Sequence, residues 1–168
     1  FSGMEDKPNP IGAIKMLKCE QLEADDCIAL TTKHILKIVP NAKIWIITSD
    51  MDYLQLSQSN VELYNLKYKK LTESKNSFNN AKKDLFCKIV MGDKSDGIPS
   101  VFKKCGIKTA EKCYNDNEFF KTKLETENAY ELYERNKTLV DFNNIPKKLV
   151  KMFKKKNRYI INGTNGWN

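Results

Sequence analysis

Residues 43–48, Lys-Ile-Trp-Ile-Ile-Thr, form a short unbroken apolar run rich in β-branched side chains, and they restrict the fold more than any other stretch of the chain. A run this short is a strand rather than a helix. Its lack of polar alternation predicts burial on both faces, the habit of parallel sheets covered by helices. Ahead of it, Glu23 to Val39 places apolar residues at Ala24, Cys27, Ile28, Ile35 and Ile38, the spacing of an amphipathic helix, which Pro40 and Asn41 end. After it come a helical turn at about 51–57 and a second strand near 61–64. Strand, helix and strand in alternation imply a parallel sheet with a right-handed crossover. A further strand is expected over Ile11 to Cys19, after a loop in residues 1–10 punctuated by Pro8 and Pro10.

Beyond residue 66 the pattern changes. Residues 67–80 are rich in Lys, Ser and Asn and read as a mobile connector. Helices are predicted over 81–91, 107–115, 118–125, 127–141 and 146–156, with a flexible polar tail over 157–168. The expected fold class is α/β: a partial parallel sheet in residues 1–66, followed by an all-helical region in 81–156. Charge divides at the same place. Residues 1–66 carry 6 basic and 9 acidic side chains, whereas 67–168 carry 23 basic and 12 acidic, together giving the net charge of +8. A polyanion, most simply nucleic acid, is the natural partner of such a surface. No stretch approaches the roughly 20 apolar residues that span a bilayer, and the start lacks a signal-peptide pattern, so membrane and secreted readings are weak.

The five cysteines (Cys19, Cys27, Cys87, Cys105 and Cys113) form no CxxC pair, and His34 is the single histidine. Neither a zinc set nor a disulfide framework fits that inventory, and the thiols read as reduced and mostly buried. A histidine-based triad has no nucleophile motif beside it. Hydrolysis by this chain must use other groups.

Carboxylates supply them. Glu23, Asp25 and Asp26 open the first long helix; Asp50 and Asp52 follow the apolar strand directly; Asp93 and Asp96 lie in Gly-Asp-Lys-Ser-Asp-Gly after a helix. Each group alone has an ordinary explanation, as a dipole complement, a cap or a turn. Together they point elsewhere, because Asp50 and Asp52 sit at the carboxyl end of a parallel strand, where open α/β sheets place their ligands. Seven converging carboxylates need cations to neutralise them. Hard divalent ions take oxygen ligands, and two of them can activate water and stabilise the leaving oxygen in phosphodiester hydrolysis.

The segments EADD, TSDMDYLQL and IVMGDKSDGIPSV, with GIKTAEK shortly after, stand in the order seen in the flap endonuclease/5′→3′ exonuclease superfamily, which the chain resembles from about Cys19 to Lys155. The later ERNKTLVDFNNIP and its basic helix are most similar to the T-even phage ribonuclease H branch. The resemblance implies a nuclease using two Mg²⁺ ions, with Mn²⁺ able to substitute, that cuts phosphodiesters at 5′ ends of branched, nicked or RNA-primed duplexes during replication. Glu23, Asp25, Asp26 and Asp50 would serve one metal, and Asp52, Asp93 and Asp96 the other. Residues from Gly97 to Lys112 would be the helix–hairpin–helix variant that grips duplex DNA, with Lys94, Gly97, Lys103, Lys104, Gly106, Lys108, Thr109 and Lys112 as contacts. The lysines around Gly106 agree with this, since such contacts hold phosphates without reading sequence. Lys147, Lys148, Lys151 and Lys154 to Lys156 form a second basic cluster.

Partners implied are duplex or branched DNA, RNA–DNA primer junctions and replication proteins. The setting implied is the cytoplasm of an infected cell, for a phage or viral protein acting as a monomer without a membrane. The pattern departs from the family in two places. The family's first aspartate-bearing strand and basic arch have no counterpart after Phe1, so the chain reads as the C-terminal portion of such a nuclease, weak or inactive alone. SVFKKCGIKTA is longer and has fewer glycines than the usual hairpin, where many relatives hold a monovalent cation. Two other readings compete: a catalytically silent DNA-binding module, and a PIN-type ribonuclease, which leaves GDKSDGIPSV unexplained.

Overall fold

The computed structural model describes residues 16–157. Helix α1 spans Ala24–Ile38, strand β1 Ile44–Ile47 and strand β2 Val61–Tyr64; helices α2 to α6 span Ala81–Met91, Ile107–Asn115, Asn117–Thr126, Tyr130–Val140 and Lys147–Lys156. Short 3₁₀ turns cover Met51–Leu56 and Leu71–Glu73. The strands pair in parallel, with Ile44 opposite Val61 and Ile47 opposite Tyr64, as the alternation of elements requires. No helix among the described residues is long and apolar enough to cross a membrane.

Several expectations need correction. Strand β1 is not buried on both faces: Ile46 is 5% exposed, but Trp45 and Ile47 are 58% and 55% exposed. Successive side chains point to opposite sides of a strand, and the described elements cover only one side. Met16 to Cys19 are not strand; the chain turns there, with the Leu22 N–H donating to the Cys19 carbonyl (3.3 Å) and Gln21 in the left-handed region. The rest of that expected strand, residues 11–15, lies outside the described residues, as do the loop at 1–10 and the tail from 158. Asn157, expected in the tail, is instead buried at the end of α6, its side chain donating to the Phe153 carbonyl (3.0 Å).

Residues 67–80 are tied down rather than featureless. Leu71 enters the sheet's core, the Asp84 carboxylate accepts from the Phe78 N–H (2.8 Å) and Ser77 Oγ (2.9 Å), and Asn80 caps α2 through the Lys82 and Lys83 N–H groups.

Two main cores follow. One packs Ala29, Ile46, Leu54, Val61, Leu63 and Phe142 between α1 and the sheet. The other gathers Cys87, Val90, Phe102, Ala110, Phe120 and Leu124 among α2 to α4. Helix α6 belongs to neither: it returns to α1, where Phe153 (1% exposed) packs with Cys19, Cys27 and Leu30. Burying a phenyl ring so fully contributes about 2–3 kcal/mol. The lysine-rich helix is therefore fastened to the acidic part of the chain, and its lysines face solvent.

Candidate metal centre

Strand β1 ends beside the acids it was expected to present. Asp50 caps the 3₁₀ turn, its carboxylate accepting from the Asp52 N–H (2.9 Å), and this local ring aims Asp52 inward. Helix α2 supplies the facing wall and stops at Met91, because Gly92 adopts φ +70°, a conformation that L side chains rarely take. A Cβ at Gly92 would lie 2.4 Å from the Ile98 carbonyl oxygen. The loop then folds back through a two-bond bridge, Asp93 N–H to Ile98 O (2.8 Å) and Ile98 N–H to Asp93 O (2.7 Å).

The result is convergence. Carboxylate oxygens of Asp52, Asp93 and Asp96 all lie within 4.8 Å of one another. Oxygen donors at this spacing, half-buried for the first two and exposed for the third, fit a hard divalent cation that keeps part of its water. The other expected ligands stand apart from this set. Glu23 and Asp26 form a capping box on α1, with the Glu23 N–H donating to Asp26 Oδ2 (3.3 Å), and the Asp25 carboxylate accepts from the Asp26 N–H (2.8 Å). They nevertheless lie at the same end of the molecule. The buried Tyr53 phenol is pushed up to about 12, first by burial and then by the charges of Asp25, Asp50 and Asp26, with the Cys27 thiol adding to them.

Sequence reasoning missed the cation in the middle of the site. Lys88, on the last turns of α2, places its ammonium 2.6 Å from Asp52 Oδ1 and in contact with Asp93 Oδ2. The available signal was position: a lysine shortly before a helix ends reaches the loop that follows. The two carboxylates respond in opposite senses. Burial raises Asp52 despite the bond from Lys88, whereas the Lys88 and Ser95 hydrogen bonds hold Asp93 well below the usual carboxylate range. At Lys88 itself burial works against the charge, but the two aspartates outweigh it and raise its pKa.

Of the expected DNA contacts, Lys94, Lys103, Lys104, Lys108 and Lys112 are all exposed, and Thr109 is half-exposed. Gly97 (φ +68°) turns the acid loop, and Gly106 caps α3, accepting from the Thr109 and Ala110 N–H groups (both 3.0 Å). The turn before α3 is fixed by Glu127, whose carboxylate accepts from the Lys103 N–H (2.8 Å) and pairs with Lys123 (2.5 Å).

The order of the acids along the chain and this geometry agree with an independent match. Residues 11–89 match the family described as 5′-3′ exonuclease, N-terminal resolvase-like domain. The chain is also 33% identical over 147 residues to the ribonuclease H of Enterobacteria phage T4, covering 78% of this chain and 47% of that one. By sequence the chain is similar to the 5′→3′ exonuclease family. Its fold matches solved phage T5 nucleases at a TM-score of 0.63. One is a T5 5′-exonuclease with bound zinc (20% identity, 83% of this chain and 60% of that one). Another is a bacteriophage T5 flap endonuclease in a complex with DNA and metal ions (20% identity, 84% and 60%). The chain thus spans about half the length of its curated relative and under two thirds of these two structures.

Proposed function

We propose that this 5′ nuclease segment forms the metal-holding and DNA-gripping part of a Mg²⁺-dependent enzyme that hydrolyses phosphodiesters at 5′ ends of branched, nicked or RNA-primed duplexes. The observation that carries the reading is the convergence of Asp52, Asp93 and Asp96. These three would hold one ion, with Glu23, Asp25, Asp26 and Asp50 contributing to a second, and Mn²⁺ substituting for Mg²⁺. When bound, such ions supply Lewis-acid stabilisation of the phosphoryl oxygens and lower the pKa of an attacking water. The chain's own residues do the rest. Asp52 and Asp93 hold the charge of the site, Lys88 neutralises it, and the exposed lysines at 94, 103, 104, 108 and 112 hold the duplex backbone beside it.

Residues 97–112 act as the helix–hairpin–helix grip. A metal-bound T5 exonuclease and a T5 complex with DNA support ions and duplex as ligands of this fold. The phage source of the T4 ribonuclease H relative supports a viral setting.

The test compares Mn²⁺-dependent cleavage of a 5′-flap DNA with binding of the same DNA in EDTA. Cleavage by this chain is expected to be weak and to vanish in the Asp93→Ala, Asp96→Ala double variant, while binding in EDTA persists and weakens steeply with salt as counterions are released. Equal cleavage by the double variant would sink the assignment. One observation favours a second reading, a silent DNA-binding module: the Lys88 ammonium already neutralises Asp52 and Asp93. Tight DNA binding with no cleavage at saturating Mn²⁺ decides for that module.

A further inference from the structure

Helix α2 ends with carbonyls that its own backbone no longer satisfies. Had the helix continued, the Ile89 carbonyl would accept from the Asp93 N–H, but that group has turned to Ile98. The vacant acceptor is filled from α5. Asn136, 0% exposed, donates from Nδ2 to Ile89 O (3.1 Å) and to Pro99 O (2.7 Å), so one amide joins the end of α2 to the far side of the loop carrying Asp93 and Asp96. One turn further along α5, the Val140 carbonyl accepts from Gln55 Nε2 (3.0 Å), and the Phe142 N–H donates to Gln55 Oε1 (3.0 Å). The same Gln55 amide donates to the Asp52 carbonyl (3.1 Å).

Both acid-bearing segments are therefore tied to a single helix, at points four residues or about 6 Å apart along its axis. Neither tie uses a carboxylate, so neither takes up an oxygen of the three acids. We infer that Asn136 and Gln55 are positioning residues that set the separation of Asp52 from Asp93 and Asp96, and with it the size of ion the site accepts. The inference rests on the proposed metal site and adds to it what fixes its dimensions.

The consequence is selectivity. A small ion such as Mg²⁺ or Mn²⁺ demands near-ideal geometry, whereas Ca²⁺ tolerates irregular oxygen cages. The experiment titrates the 168-residue chain with Mn²⁺, read by loss of the free-ion electron paramagnetic resonance signal, and repeats it with Ca²⁺ as competitor. The variants are Asn136→Leu and Gln55→Met, with folding checked by circular dichroism. Mn²⁺ affinity should fall about tenfold in each, the usual scale for groups that orient metal ligands, with Ca²⁺ affinity changing by less than about twofold. A merely structural role would lower thermal stability without moving the Mn²⁺/Ca²⁺ preference of the folded protein.

If Asn136→Leu fails to fold, the half-buried Gln55 carries the test alone. Unchanged Mn²⁺ affinity and preference in the folded variants would overturn the inference while leaving the proposed site standing. A parent chain whose Mn²⁺ binding is absent, or insensitive to Asp93→Ala with Asp96→Ala, would bring down both.

Discussion

Asp52, Asp93 and Asp96 come from two distant segments and meet within 4.8 Å, whereas Glu23, Asp25 and Asp26 share one turn of α1 and bond mainly to their own backbone. The first group owes its position to long-range bonds: Lys88 between two carboxylates, Gly92 against Ile98 and Pro99, and the ties from α5. The second owes its position to helix capping. Carboxylates that cap are satisfied where they stand, but carboxylates brought together over distance repel each other until a cation intervenes. In the absence of metal that cation is an amine of the protein itself.

The largest expected effect that tests this contrast comes from Gly92→Ala. A side chain there meets backbone at 2.4–2.6 Å in a left-handed conformation, so the loop must move, at a cost of about 3 kcal/mol. Urea unfolding measures it, and a loss no greater than for a surface alanine would show that the loop is not held tightly. Next comes Lys88→Met, which leaves Asp52 and Asp93 facing each other and costs about 1–2 kcal/mol in EDTA. Added Mn²⁺ should then raise the melting temperature of this variant more than that of the parent, since it replaces a missing charge. Removing the α1 cap with Glu23→Ala, by contrast, should cost about 0.5–1 kcal/mol and leave the response to Mn²⁺ nearly as it was.

The smallest effect is in pH. Asp93 is depressed in the folded state, so its stabilisation is present above its unfolded value of about 3.9 and is lost as pH falls through the folded one. Asp26 is raised, chiefly by burial, so stability falls as pH rises between its unfolded and folded values. In metal-free melts the difference between parent and Asp93→Asn should grow from acid toward neutral pH. The difference for Asp26→Asn should move the opposite way.

Local chemistry was legible in the sequence, and distance was not. Helices α2 and α3 stand where the apolar spacing and the caps at Asn80 and Gly106 place them. Strand β2 likewise follows from its alternation. Helix α5 is shorter than expected at its start, because Asn128 turns left-handed and the Ala129 N–H closes α4 on Leu124 (2.9 Å). The exposure of Trp45 depends on which elements cover the sheet, and the return of α6 to α1 depends on Phe153 finding Cys27 and Leu30. No periodicity encodes either. In the site, Asp52, Asp93 and Asp96 were nameable from their segments, but Lys88, Gln55 and Asn136 look like ordinary polar residues until the chain is folded around them.

The ties from α5 also impose an order in time. A protein made from its N-terminus exposes Asp52 first and Asp93 and Asp96 later, yet Gln55 must wait for Val140, 85 residues downstream, before it can close. On the ribosome the acids are present long before their spacing is set. A product that stops short of Asn136 would carry every carboxylate of the site without the helix that holds its two sides together.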